Sequence, residues 1–294
     1  MRKSALTSSL IVTLLTALAQ PAHSANILFT FVQDDGRYFN DGRAIASYLD
    51  LHPDFNVTQR ILDDAVYDDY DSFDQIWVYD LDVGSNDSAV QMANYAAIAN
   101  WFNSRAEDEQ NLIADGRILS STESRTTVSE IPWLQNYAVQ LQAVGGGLVL
   151  GTDHADEGQS SGVFVDGINH INSLMGLNPF RDKYLGSEAV VDPESPLFLS
   201  NLASCTAAPD LSCIRSVTST SFAPAGEQPS GLYLSPVAFH GTTSTAHENA
   251  AVSTTFVSST FAVDSPHAKT PEPSALLGLF GIFSAGWLLK KREV

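Results

Sequence analysis

The sequence predicts an α/β fold: a three-layer, doubly wound, mostly parallel sheet with late β additions. Three observations predict it. Short apolar runs of β-type residues recur at 26–32, 55–62, 74–81 and 146–152. Segments with helical spacing separate them, and strands alternating with helices build βαβ units whose sheet is covered on both faces. Beyond about Asp192 the helical spacing stops, Ser, Thr, Ala and Pro dominate, and strand-like runs follow one another directly.

The elements follow in order. NILFTFV (26–32) is a short buried-type strand, and Asp41–Leu51 then places Ala44, Ile45, Tyr48 and Leu49 on one helical face. FNVTQRIL (55–62) reads as a second strand, and DQIWVYDL (74–81) as a third, apolar throughout its centre. Asn86–Asn103 carries Val90, Met92, Ala93, Ala96, Ile98, Trp101 and Phe102 at helical spacing. NLIADGRILSS holds a fourth strand or a short hairpin, Ile131–Ala143 another helix, and GGLVLGT (146–152) another strand. Right-handed crossovers between parallel strands give the doubly wound layering. GLYLSPVAF and AVSTTFVSSTFAV are the late strands, extending the sheet or forming a small β appendage. No internal repeat occurs.

Composition narrows the partners. Of 294 residues, 44% are hydrophobic, enough for a sizeable core. The net charge is −19, and between Ala25 and Thr270 there are 32 acidic and 10 basic residues, a balance of −22. Such a field repels phosphate backbones and anionic headgroups, which excludes nucleic acid as a natural partner. It favours cations, Ca²⁺ among them.

Both ends read as addresses. Arg2 and Lys3, an apolar core from Ser9 to Ala19, and Ala22-His23-Ser24 form a secretory signal peptide with cleavage expected after Ser24. Residues 25–264 are the acidic working domain, 265–273 a linker, and 274–294 an apolar tail. Ala275–Leu289 is uncharged, and as a helix its fifteen residues span about 22 Å against a hydrocarbon core of about 30 Å. Snorkelling of Lys290, Lys291 and Arg292 shortens the gap, so the tail is expected to be a transmembrane helix with a basic end. Pro271-Glu272-Pro273, the apolar segment and the terminal basic cluster together resemble the PEP-CTERM sorting signal. That resemblance implies a Gram-negative bacterium, transient retention in the inner membrane, processing by an exosortase-type enzyme, and delivery to the cell surface or extracellular matrix. In an exported chain Cys205 and Cys213 are expected to close one small disulfide loop, the other reading being two unpaired thiols.

Ligands of open α/β sheets bind beyond the carboxyl ends of the strands, and three predicted loops lie there. QDDGRYFNDG (33–42) offers Asp34, Asp35, Arg37 and Asp41, either as a polar crevice or as a solvated loop with Asp41 capping a helix. DLDVGSNDS offers Asp80, Asp82 and Asp87 as oxygen ligands for a metal such as Ca²⁺; the EF-hand spacing fails, and turn formation with a helix cap also explains the pattern. No other cofactor is expected. GGGLVLGTDHADEG (145–158) ends a strand in Gly151-x-Asp153-x-Ala155, the small–x–acid–x–small form of a nucleophile elbow.

That last stretch, with His240 in the later PVAFHG, resembles the class I glutamine amidotransferase-like fold, an architecture akin to the flavodoxin-like one. The resemblance implies a nucleophile at the elbow and a histidine near the end of a later strand. Asp153 stands where the family has its cysteine, so thioester chemistry is not implied. Asp153 could act as a carboxylate nucleophile or a general base with His240, or it could cap the next helix. No P-loop, dinucleotide fingerprint, H-E-x-x-H or G-x-S-x-G motif occurs. The expected function is a noncatalytic surface or matrix component that binds an exopolysaccharide or another partner. The alternative is a hydrolase using Asp153 and His240.

Overall fold

The computed structural model describes residues 24–32, 37–79, 81, 88–116, 145–152, 163–184, 188–191, 212–215, 220–240 and 255–261, with helical residues 135, 137–139 and 141. The signal segment, the sorting tail with Pro271, Glu272 and Pro273, Asp80, Asp82, Asp87, Asp153 and Cys205 lie outside the described residues, as do the side chains of Cys213 and His240.

The first half builds a parallel sheet. Strands β1 (Ala25–Phe31), β2 (Phe55–Ile61), β3 (Gln75–Tyr79), β4 (Asn111–Gly116) and β5 (Gly147–Thr152) lie in the order β2-β1-β3-β4-β5, and every neighbouring pair is parallel. The order reverses at β1, which has β2 on one side and β3 on the other. The late strands do not form a separate appendage. Strands β7 (Glu188–Val191), β8 (Ser212–Arg215), β11 (Tyr233–His240) and β12 (Thr255–Ser259) extend the same sheet beyond β5 in the order β12-β11-β7-β8, all antiparallel. The short β10 (Gly226–Glu227) pairs with β11, and β6 (Arg181–Tyr184) with β9 (Thr220–Phe222) forms a two-stranded ribbon.

Alternating side chains sort onto two faces. Ile27, Phe29, Phe31, Trp77, Tyr79, Ile113 and Val149 face α1 (Arg37–Leu49), through Ile45, Ala46 and Leu49, and the helical stretch carrying Tyr137, Ala138 and Leu141. Leu28, Ile76, Val78, Leu112, Leu148 and Leu150 face α2 (Ala89–Ser104) and α3 (Val163–Leu174), through Tyr95, Ile98, Phe102, Ile168 and Ile171. Burial on both sides explains why β1, β3 and β5 read as continuous apolar runs. Among the described residues no helix is long and apolar enough to cross a membrane.

Several polar groups inside this core are matched, while the indole N–H of Trp101 and the hydroxyls of Thr255 and Ser258 are buried without a partner among the described residues. Thr30 Oγ1 donates to the Trp77 carbonyl at 2.9 Å. Gln75 is fully buried; its amide donates to Asn111 Oδ1 at 2.8 Å and its oxygen accepts from Trp77 Nε1 at 2.9 Å. Two glycines are forced by close approach. A Cβ on Gly42 would stand 2.4 Å from Phe31 Cε1 and 2.7 Å from Tyr79 Cδ1, so only glycine lets α1 lie against the sheet there. Gly146 has φ +85°, and a Cβ would stand 2.3 Å from the Gln110 carbonyl oxygen, so the turn into β5 needs glycine on both counts.

Candidate functional site

The carboxyl ends of β1 to β5 share one end of the sheet, and the reversal at β1 marks where open α/β sheets place ligands. Of the loop residues expected to carry chemistry, 33–36, 80, 82–87 and 153–158 fall outside the described residues, while Arg37 and Asp41 belong to α1, which begins at Arg37, so Asp41 sits within that helix and is not its cap. His240 is placed by its backbone. Ala238 pairs with Val257, and Val257 with Gly151, so β11 runs alongside β5 in the same direction across β12. His240 ends β11 at the same sheet end where Thr152 ends β5. Two strand spacings, about 10 Å, separate those strand axes. Thr152 Oγ1 donates to the Gly116 carbonyl at 3.1 Å and ties the ends of β5 and β4 together. The described residues contain no group of three or more His, Cys, Asp or Glu able to hold a metal.

The described pocket at this end lies at a corner the sequence did not single out. A pocket of 380 Å³ is lined by Phe31, Arg43, Gln59, Arg60, Ile61, Asp64 and Tyr67. Its position follows from β2, the last strand on its side of the sheet among the described residues. Register pairs Phe31 with Ile61 at the carboxyl ends of β1 and β2, so Ile61 shares the α1 face with Phe31. Arg60 pairs with Thr30 and points to the α2 face.

Arg60 builds one wall. Its guanidinium donates both Nη groups to Asp69, Nη1 to Oδ1 at 2.5 Å and Nη2 to Oδ2 at 2.6 Å. The guanidinium carbon also sits 4.5 Å from the Tyr67 ring centroid and 5.1 Å from that of Phe73, within cation–π range. The Asp69 hydrogen bonds raise the Arg60 pKa further above its ordinary value, against the opposing effect of burial. The same bonds from Arg60 hold the Asp69 carboxyl below the usual range.

The loop after β2 is held by one side chain. Asn94 on α2 is fully buried, and its amide donates to the carbonyls of Leu62 and Ala65, both at 2.7 Å. Its oxygen accepts from the Tyr67 backbone N–H and the Tyr70 hydroxyl, both at 3.0 Å. All four hydrogen-bonding positions of the amide are therefore used. Burial raises the Tyr70 phenol well above its ordinary pKa, which keeps the proton that Asn94 accepts. Ser88 caps α2 by accepting from the Gln91 N–H at 3.1 Å, and its hydroxyl donates to Asp63 of the same loop. The loop carrying Asp64 and Tyr67 is thus fixed from α2.

The corner carries groups suited to recognition. Guanidinium groups donate but do not exchange protons near neutral pH. Gln59 and Asp64 add donors and acceptors, and Phe31, Ile61 and Tyr67 add apolar surface. That mixture of apolar wall and few polar anchors is typical of recognition sites. Sequence reading weighed the loops after β1, β3 and β5 and passed over the one after β2. The signal was present: LDDAVYDDYDSFD (62–74) places aspartates and two tyrosines directly after a strand ending in Arg60 and Ile61. A second pocket, of 290 Å³, lies at the opposite, amino end of the sheet, lined by Asp74, Arg105, Asp108, Glu109, Asn111 and Gly146 among others. Comparison with known proteins returned no matching family model, curated protein or solved structure.

Proposed function

We propose that this chain is an exported cell-surface or extracellular-matrix protein that works by binding rather than catalysis. The observation that carries the binding half is the corner pocket, where anchored Arg60 and Tyr67, with the carboxylate of Asp64 beside them, form a preorganised recognition surface. Preorganisation matters because a wall already fixed by Asp69 and Asn94 loses little conformational freedom on binding. The export half rests on the signal segment and on the Pro271-Glu272-Pro273 tail with its basic end. In this reading an exosortase-type enzyme processes the tail, the inner membrane holds it transiently, and the domain then meets matrix macromolecules. The strand order β2-β1-β3-β4-β5 supports a doubly wound, flavodoxin-like parallel half.

The test expresses the full chain in a Gram-negative host that makes a matrix and an exosortase, and follows its fractionation. Wild type should reach the matrix fraction and lack Lys290–Val294 by mass spectrometry. A Tyr67→Ala variant should be exported equally but released into the medium. Recovery of the intact tail in the matrix fraction would defeat the processing step, and full retention of the Tyr67→Ala variant would defeat the assignment of the site.

One observation keeps a second reading, a hydrolase using Asp153 and His240: β11 brings His240 to the sheet end where β5 finishes. Turnover of a glycan or ester that disappears in Asp153→Asn would replace the binding reading with this one.

A further inference from the structure

Among the described residues the outer edge of β2 is guarded over one half and open over the other. Leu62 N–H donates to the Phe31 carbonyl, and Ala25 N–H to the Asp54 carbonyl, so even-numbered residues of this strand turn their backbone groups toward β1. Odd-numbered residues therefore turn theirs outward. Phe55 N–H is capped by the His52 carbonyl at 3.0 Å, and Val57 N–H by Asp50 Oδ1 at 3.0 Å. At the far end the Ile61 carbonyl accepts from Tyr67 Oη at 3.2 Å. Among the described residues nothing caps the N–H groups of Gln59 and Ile61 or the carbonyls of Val57 and Gln59. The corner pocket lies along that stretch, with Gln59, Arg60 and Ile61 in its lining, Arg43 rising from α1 on one side and Asp64 and Tyr67 on the other.

From this we infer that the open half of β2 accepts an extended, lysine- or arginine-bearing polypeptide as an added strand. The inference rests on the binding reading above and names its partner class. A row of outward N–H and C=O groups is a template for strand addition, with backbone bonds supplying affinity and flanking pockets reading alternate side chains. Charge selects the partner. Arg60 is already spent on Asp69, while Asp64 and Asp68 are exposed on the neighbouring loop. The chain's own balance, −19 overall, attracts cationic segments and repels polyanions. A lysine stem can lie along Ile61 and Tyr67 and set its ammonium near Asp64. An acidic exopolysaccharide offers neither the matching N–H ladder nor the right charge.

The experiment uses the full chain in detergent and four probes: a synthetic heptapeptide alternating valine and lysine, the same peptide with its interior amides N-methylated, a polyuronate, and a neutral glucan. Calorimetry and residue-resolved amide exchange are read together. The plain peptide should bind and slow exchange at Gln59 and Ile61 at least tenfold, and N-methylation should weaken binding at least tenfold. Gln59→Pro removes one outward N–H where an edge strand tolerates proline, and should weaken binding tenfold while β1 amides keep their protection. Equal binding of the methylated peptide, failure of the plain peptide to bind, or protection of these amides by the polyuronate or glucan instead, overturns the inference. Matrix retention that survives Gln59→Pro also overturns it and leaves the binding reading standing. Loss of retention in wild type removes the parent reading itself.

Discussion

Replacing Asn94 tests how the site is held together. The side chain is fully buried and makes four hydrogen bonds: to the carbonyls of Leu62 and Ala65, the N–H of Tyr67 and the hydroxyl of Tyr70. Asn94→Ala leaves all four partners without it. The Leu62 and Tyr70 bonds are buried, whereas Ala65 and Tyr67 are nearer water and can recover part of the loss. Counting the two buried groups at about 1–3 kcal/mol each gives a loss of about 2–6 kcal/mol. For a domain of this size that is a fall in Tm of about 4–24 °C. Thermal unfolding followed by circular dichroism measures it. Asn94→Asp sharpens the test, because it keeps volume and both acceptors but turns an acceptor toward the Leu62 and Ala65 carbonyls. It should be at least as damaging as alanine. A Tm change under about 2 °C for either variant would refute the four-bond anchoring and, with it, the claim that the loop is preorganised.

The remaining predictions concern charge and backbone. Asp69 has its pKa depressed by Arg60, so its contribution is present above its unfolded pKa of about 3.9 and fades as pH falls through the lower folded value. The Tm gap between wild type and Asp69→Asn should therefore be steady from pH 7 to 5 and close as pH falls below about 4; a gap that widens on acidification contradicts the pairing. Because Asp69 is half exposed, the effect at neutral pH should be about 1 kcal/mol or less. Gly146→Ala meets both φ +85° and a 2.3 Å clash with the Gln110 carbonyl, and should cost about 3 kcal/mol or more, whereas Gly231→Ala, at φ +87° with open space around it, should cost only about 1–2 kcal/mol. Urea unfolding of the two variants ranks them, and equal costs would remove the close-approach argument. Lengthening the apolar stretch 275–289 with leucines should hold the chain in the inner membrane, seen as loss from the matrix fraction; unchanged release would contradict a transient anchor.

The parallel half of the fold was legible because burial on both faces writes itself into composition. NILFTFV, DQIWVYDL and GGLVLGT leave few polar positions, and β1, β3 and β5 occupy them. Helix α2 was readable from its apolar spacing, although it starts at Ala89 with Ser88 as its cap rather than at Asn86, whereas α1 starts at Arg37, earlier than the apolar face from Asp41 suggested. Helix α3 was missed: VFVDGINHINSL has Gly167 and two asparagines inside it, weak helix formers that its packing on β4 and α2 overrides. The antiparallel extension was foreseen only as late strands, since strand direction past β5 depends on partners that local spacing does not encode. The corner pocket escaped for the same reason. Gln59, Arg60 and Ile61 look ordinary along the chain, and only the position of β2 at the sheet's edge, with Asn94 pulling the following loop inward, makes them a site.

The most direct measurement is residue-resolved amide exchange on the full chain with and without solubilised extracellular matrix. Protection concentrated at Gln59, Ile61 and the loop from Asp64 to Tyr67 is the result predicted for a binding protein working at the corner of β2. Protection confined to the ends of β5 and β11, around Thr152 and His240, would contradict it and place the working site at the other carboxyl-end loops.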